Sequence, residues 1–145
     1  MDVLRMGGVK RPGVGRPVIS YGALSEVEQR VGAFLQWGKG ELLFSVGVPK
    51  RGILVILLKR TEGLTLNFSV PAKQAAIKDV IQRIFENPKF GENICGMEHV
   101  SVALNPAKDA VARMMVESLV EGFGVVEEEQ LMFVSYRAAD GTGEG

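Results

Sequence analysis

Cys95 and His99 are the two residues of this sequence whose types and spacing could support covalent chemistry. A cysteine becomes a thiolate nucleophile near neutral pH when an imidazole or another cation lies beside it. The spacing Cys-x-x-Glu-His, which includes Glu98, corresponds to no motif with a defined mechanism. Free cysteines are among the most buried residue types, so a structural role for Cys95 is favoured. An enzyme that uses Cys95 or His99 is the third of three functional hypotheses.

Metal and cofactor chemistry find little support in the sequence. A single cysteine excludes a cysteine-based zinc site within one chain, and His99 with Glu98 and Glu92 offers only one imidazole. The glycine-rich segment 6–16 lacks the preceding strand and the Gly-Lys-Ser/Thr order of a phosphate-binding loop. The acidic run 127–129 is typical of a solvated turn. We therefore predict no catalytic residues, no metal and no cofactor.

Basic side chains are the feature that favours a nucleic-acid partner. Three of them lie in the N-terminal segment and two pairs lie at predicted hairpin turns: Lys10, Arg11, Arg16, Lys50, Arg51, Lys59 and Arg60. A basic arm could follow a phosphate backbone. However, successive turns of an antiparallel meander lie at opposite ends of the sheet, and Thr65, Asn67 and Ser69 provide no aromatic platform for bases. Nucleic-acid binding is therefore the second hypothesis.

Apolar periodicity predicts the elements that must position these residues. Helices are predicted over about 25–37, from near Pro71 to about 87, and from Asn105 to Gly122 or Gly124. Strands are predicted over 41–48, 53–59, 64–70, 99–104 and 130–137. The short turns between the first three strands favour an antiparallel meander. The order α-β-β-β-α-β-α-β predicts an α+β two-layer sandwich. Its mainly antiparallel sheet has about five strands and carries two or three helices.

Helix boundaries follow from local capping signals. Ser25 with Glu28 has the form of a capping box, Pro71 suits the first turn of the second helix, and Asn105-Pro106 predicts an N-cap followed by a first-turn proline. A short extended piece over 17–21 precedes the first helix, and a loop over 89–98 precedes the fourth strand. These assignments place Cys95 in that loop and His99 at the start of a strand.

Domain organisation and compartment follow from composition. We predict a flexible, basic, Gly/Pro-rich arm over 1–17, a single α+β domain over 18–137 and a disordered tail over 138–145. The longest apolar run has six residues, Ile53 to Leu58, against about 20 for a membrane span. With one cysteine and no signal-peptide pattern, we expect a cytoplasmic protein without a membrane partner.

The first hypothesis is a non-enzymatic binding or regulatory module that self-associates. The strand beginning at Ile53 is apolar on both faces, so either the first helix or a partner subunit must cover its second face. Trp37, Val116 and Val120 are predicted interface residues. Zero net charge hides two unlike halves: residues 1–60 carry ten basic and four acidic side chains, and residues 61–145 carry seven and thirteen. Such a dipole favours self-association if the fold displays it.

Overall fold

A computed structural model describes Gly13 and residues 15–37, 41–71, 75–94 and 96–138. Seven strands form one antiparallel sheet in the order β1-β7-β2-β3-β4-β6-β5. The strands are β1 (Val18–Gly22), β2 (Leu42–Val48), β3 (Ile53–Arg60), β4 (Gly63–Pro71), β5 (Lys89–Ile94), β6 (Met97–Leu104) and β7 (Leu131–Arg137).

Three α-helices accompany the sheet: α1 (Val27–Gln36), α2 (Ala75–Ile84) and α3 (Val111–Glu117). A 3-10 turn, Leu24–Glu26, leads into α1, and α3 continues into a π-helical turn, Ser118–Gly122. The helix α1 packs against α3, and α2 packs against the π-helical turn. Within the described residues, no helix is long and apolar enough to cross a membrane.

The predicted meander is confirmed in β2, β3 and β4. Val48 pairs with Ile53 and Arg60 pairs with Gly63, so each connection is a tight turn. Gly52 has φ 66° and Gly63 has φ 147°, values that residues with a side chain rarely adopt. These glycines allow β3 to return directly along β2 and β4 along β3. The central position of β3, with three strands on either side, follows from the strand order.

The α+β class and the mainly antiparallel sheet are confirmed, but the prediction of about five strands was too low. The extended piece after Pro17 becomes β1, which pairs with β7 through Val18–Ser135 to Gly22–Leu131. The predicted loop over 89–98 contains β5 and the start of β6. The observed order is β-α-β-β-β-α-β-β-α-β. Both extra strands lie at the sheet edges, where they depend on a partner strand that their own sequences do not specify.

Three predicted helix starts were wrong, and at Ser25 a long-range contact outcompetes the local capping signal. Ser25 does not cap α1; its N–H and Oγ donate to Glu127, at 2.8 and 2.7 Å. Glu26 accepts the Ala23 N–H instead, at 2.8 Å. The Asn105 side chain accepts the Ala107 N–H at 3.0 Å, which forms a turn, and α3 begins six residues later. Pro71 ends β4, and α2 begins at Ala75.

The hydrophobic core lies between the helices and one face of the sheet, which we call the inner face. Phe34 of α1 meets Phe44 of β2 with ring centres 5.8 Å apart, and Phe68 of β4 meets Phe85 after α2 at 5.6 Å. Alternate residues along each central strand are fully buried here, for example Val55 and Leu57 of β3. All three helices therefore lie on the inner face.

Candidate binding surface

The sheet face opposite the helices, which we call the open face, carries no helix in the part of the chain that the structure describes. Side chains alternate between faces along a strand, so the neighbours of each buried residue point to this side. Leu54 lies between buried Ile53 and Val55, and its side chain is 36% exposed. Ile19 and Tyr21 of β1 are 56% and 57% exposed. The first helix does not cover β3 on this side, contrary to one of the two alternatives above.

Strand register arranges the open face in three rows that cross the sheet. The first row runs through Tyr21, Met132, Gly47, Leu54, Ser69 and His99. The second runs through Ile19, Val134, Ser45, Ile56, Asn67, Ser101 and Lys89. The third runs through Tyr136, Leu43, Leu58, Thr65 and Ala103.

The open face divides into two halves of different chemistry. The strands β1, β7, β2 and β3 form what we call the apolar half, whose large side chains are Ile19, Tyr21, Leu43, Leu54, Ile56, Leu58, Met132, Val134 and Tyr136. It includes both tyrosines of the chain. None of these positions carries a charge. Six of the nine are half-buried by their neighbours, whereas Ile19 and Tyr21 are more than half exposed.

The strands β4, β6 and β5 form what we call the polar half. Its side chains are small and almost all neutral: Thr65, Asn67, Ser69, His99, Ser101, Ala103 and, at the β5 edge, Lys89. Ser69 Oγ lies 3.4 Å from His99 Nδ1 across the strand pair. The charge on this side of the molecule is confined to the margin, where Arg60 and Glu41 form an ion pair at 3.6 Å.

A cleft of about 500 Å³ lies at the end of the apolar half, beneath the turn from β2 to β3. Tyr21, Val48 and Pro49 form its apolar wall. Arg51 closes the other side, with Nη1 donating to both Glu129 oxygens at 2.8 and 2.9 Å and Nη2 donating to the Phe123 carbonyl. The hydrogen bond from Arg51, reinforced by the Val126 N–H, lowers the pKa of the Glu129 carboxyl. The Arg51 guanidinium therefore makes its hydrogen bonds within the protein.

The predicted nucleic-acid residues do not form one patch. Lys10 and Arg11 lie outside the described residues, and Arg16 is exposed beside β1. Lys50 and Arg51 lie at one end of β3, and Arg60 lies at the other. The Lys59 Nζ donates to the carbonyls of Leu35 and Trp37, at 3.1 and 2.9 Å, at the C-terminal end of α1. Arg51, Lys59 and Arg60 are therefore engaged within the molecule.

The predicted interface residues lie on the helical side. Trp37 is half-buried and meets Phe34 edge-on, with ring centres 5.6 Å apart. Val116 is half-buried and packs on the core. Val120, in the π-helical turn, is 41% exposed. Of these three residues, only Val120 is exposed.

The predicted catalytic candidates are not shown together. Cys95 lies outside the described residues, and His99 is exposed on the polar half of the open face with Ser69 beside it. Glu98 forms its ion pair with Lys78 rather than with His99. Among the described residues, no group of three metal-ligating side chains lies close enough to hold an ion. Among the described side chains, Ser69 lies within hydrogen-bonding distance of the His99 ring, and a catalytic histidine needs a further group to orient it.

Sequence reasoning identified the two-sided apolar character of β3 but missed the surface to which it belongs. The signal is present in β2, where Leu42, Leu43 and Phe44 are consecutive, and in β7, where Met132 and Val134 alternate with buried residues. Both strands carry apolar side chains on the open face as well as on the inner one. Only the register places these residues beside Leu54 and Ile56 of β3.

Comparisons of the chain with protein-family models, curated proteins and solved structures give no match.

Proposed function

We propose that the protein is a non-enzymatic binding module that associates with a second copy of itself through the open face of its sheet. The observation that carries this proposal is the apolar half of that face, whose nine large side chains come from four strands and carry no charge. Depletion of charge together with enrichment in Tyr and Met is the compositional signature of an interface core. Tyr21, Tyr136 and Met132 lie within this surface.

The size of the open face fits a dimer of ordinary dimensions. Strands lie about 4.8 Å apart and alternate residues about 6.7 Å apart, so four strands and three rows give a projected area of about 400 Å². All seven strands give about 700 Å². A stable interface buries about 800 Å² on each partner. The apolar half is therefore the core of the interface, and the polar half completes it.

The polar half is compatible with burial against a second copy. Thr65, Asn67, Ser69 and Ser101 are neutral groups that both donate and accept hydrogen bonds, directly or through water. No ion has to be desolvated at these four positions, and two copies do not repel each other there. A symmetric interface uses the same patch on both subunits, and a patch that is neutral at these four positions is complementary to itself there. A differently charged partner protein would gain no electrostatic steering from this surface.

Leu54→Lys and Val120→Lys form a matched pair for testing the surface. Leu54 lies on the open face and is 36% exposed, whereas Val120 lies on the helical side and is 41% exposed. Each variant adds one positive charge at a comparably exposed position, so both should fold. We expect sedimentation velocity to show a dimer for the wild type and Val120→Lys, and a monomer for Leu54→Lys.

Two results would overturn this proposal. One is a wild-type protein that remains a monomer at about 100 μM. Interfaces of this size have dissociation constants of about 1 μM or lower, so this concentration is about 100-fold higher than a dimer should need. The other is dissociation of Val120→Lys while Leu54→Lys stays dimeric, which would move the interface to the helices and to Trp37, Val116 and Val120. Circular dichroism of both variants confirms that the fold is intact in each comparison.

A further inference from the structure

The two halves of the open face restrict how two copies can stack. Two sheets that meet face to face are related by a two-fold axis that lies in the plane between them. One choice runs the axis along β3, the central strand, and the other runs it across the strands. The two choices bring different halves into contact, so the chemistry of the halves distinguishes them.

An axis along β3 places each strand over the strand on the opposite side of the partner's sheet. In that arrangement β2 faces β4 of the second copy, and β7 faces β6. Val134 would then cover Ser101, and Leu43 would cover Thr65. Hydroxyl groups buried against apolar side chains lose their bonds to water without gaining a partner.

An axis across the strands places each strand over its own copy. The apolar half then meets the apolar half, and the polar half meets the polar half, where Thr65, Asn67 and Ser69 find donors and acceptors. The first and third rows exchange, so Leu43 of one copy faces Gly47 of the other. Gly47 presents only backbone to this face, bounded by the Leu54 side chain. A large side chain therefore meets the smallest position on the same strand.

We infer that the two copies stack with their two-fold axis across the strands, so that Leu54 of one copy lies over Leu58 of the other. This inference rests on the proposed self-association and specifies its geometry. Stacked sheets are rotated by about 30°, so the correspondence is closest at β3 and its neighbours and loosens toward the edges. The turn at Thr61 of one copy then lies over the turn at Lys50 of its partner, at the opposite end of β3.

The distances between equivalent residues of the two copies at two exposed positions distinguish the two axes, because one distance is long where the other is short. Thr61 lies five residues beyond Ile56, so two copies of Thr61 are about 35 Å apart when the axis crosses the strands and about 11 Å apart when it follows them. Lys89 lies three strands from β3, and its two copies are about 12 Å apart in the first case and about 30 Å in the second. Neither residue belongs to the apolar half.

The test is spin labelling of Thr61→Cys and, separately, Lys89→Cys, each in a full-length Cys95→Ser background. Pulsed and continuous-wave electron paramagnetic resonance give the distance between labels in the dimer, and light scattering on the same samples gives the mass. We expect a long distance at Thr61 and a short one at Lys89. The reverse pattern in a dimer overturns the inference and leaves the proposed function standing. Two long distances exclude face-to-face stacking, and a monomeric mass overturns the proposed function itself.

Discussion

The guanidinium carbon of Arg30 lies 4.3 Å from the centre of the Phe133 ring, on the inner face of the sheet. Arg30 also donates to Ser20 Oγ at 2.9 Å and to Glu26 at 3.1 Å. One side chain of α1 thereby contacts β7, β1 and the turn that joins β1 to α1. The edge strand β1, which carries Ile19 and Tyr21 on the open face, is held from behind by this residue.

Replacement of Arg30 by Met should loosen β1. The variant keeps an unbranched side chain of similar length but loses the cation–π contact and two polar bonds, so we expect a loss of about 1–3 kcal/mol in the free energy of unfolding. Arg30→Lys should recover only part of it, because an ammonium cannot reproduce the planar guanidinium fork. Urea unfolding measures both variants, and amide hydrogen exchange over 18–22 locates the change. Unchanged exchange in β1 would contradict this role.

Gly22 leaves space that the Glu26 carboxylate occupies. A Cβ at position 22 would overlap the carboxylate that accepts the Ala23 N–H at 2.8 Å. Gly22→Ala should therefore displace this bond and destabilise the protein by about 1–2 kcal/mol, similar to the loss of a helix cap. Thermal unfolding measures the effect.

Gly32 is the matched control within α1, because a Cβ there meets no atom within 4 Å. Alanine is the better helix former, so Gly32→Ala should stabilise the protein by about 0.5–1 kcal/mol. Opposite signs for two Gly→Ala substitutions ten residues apart are the expected result. Equal effects at the two positions would show that backbone entropy alone, and not the Glu26 carboxylate, decides the outcome at Gly22.

Lys59 is expected to stabilise the C-terminal end of α1 rather than bind an external polyanion. Its ammonium donates to two carbonyl groups at a helix end, where positive charge is favourable. Lys59→Met should cost about 1–2 kcal/mol in the free energy of unfolding. Lys50→Met, at an exposed position in the turn before β3, should change it by less than about 0.5 kcal/mol. Similar values for the two variants would mean that the helix contact contributes little.

The Glu129–Arg51 pair predicts a defined pH dependence. The pKa of Glu129 is lowered in the folded protein, so its contribution to stability is complete above the ordinary glutamate value of about 4.3 and is lost as the pH falls through the lowered value. Glu129→Gln should therefore lower Tm at pH 7 and converge on the wild type in acid. Glu128→Gln removes an equal charge one residue away and should have little effect at either pH. A Tm difference for Glu129→Gln that persists in strong acid would assign the effect to packing instead.

The sequence alone determined those elements whose signal is local. The alternation in β4, the tight turns at Gly52 and Gly63 and the apolar stripes of the helices predict the meander and the α+β class, because each depends on residues within one or two turns of chain. The two-sided apolar pattern of β3 also predicts that a second face needs cover. These features require only backbone geometry and the burial of apolar side chains.

The tertiary structure decided which face stays open and which residues share it. β1 pairs with β7 across more than 100 residues of sequence, so neither its strand character nor the neighbours of Tyr21 could be derived from the segment itself. Ser25 donates to Glu127 instead of capping the first helix as predicted. Lys59 donates to carbonyl groups at the end of α1 instead of lying on the surface as a predicted nucleic-acid contact. The physical reason is the same in each case. The local sequence allows several partners of similar energy for a hydrogen-bonding group or a strand, and a residue far away in the sequence provides the one that is used.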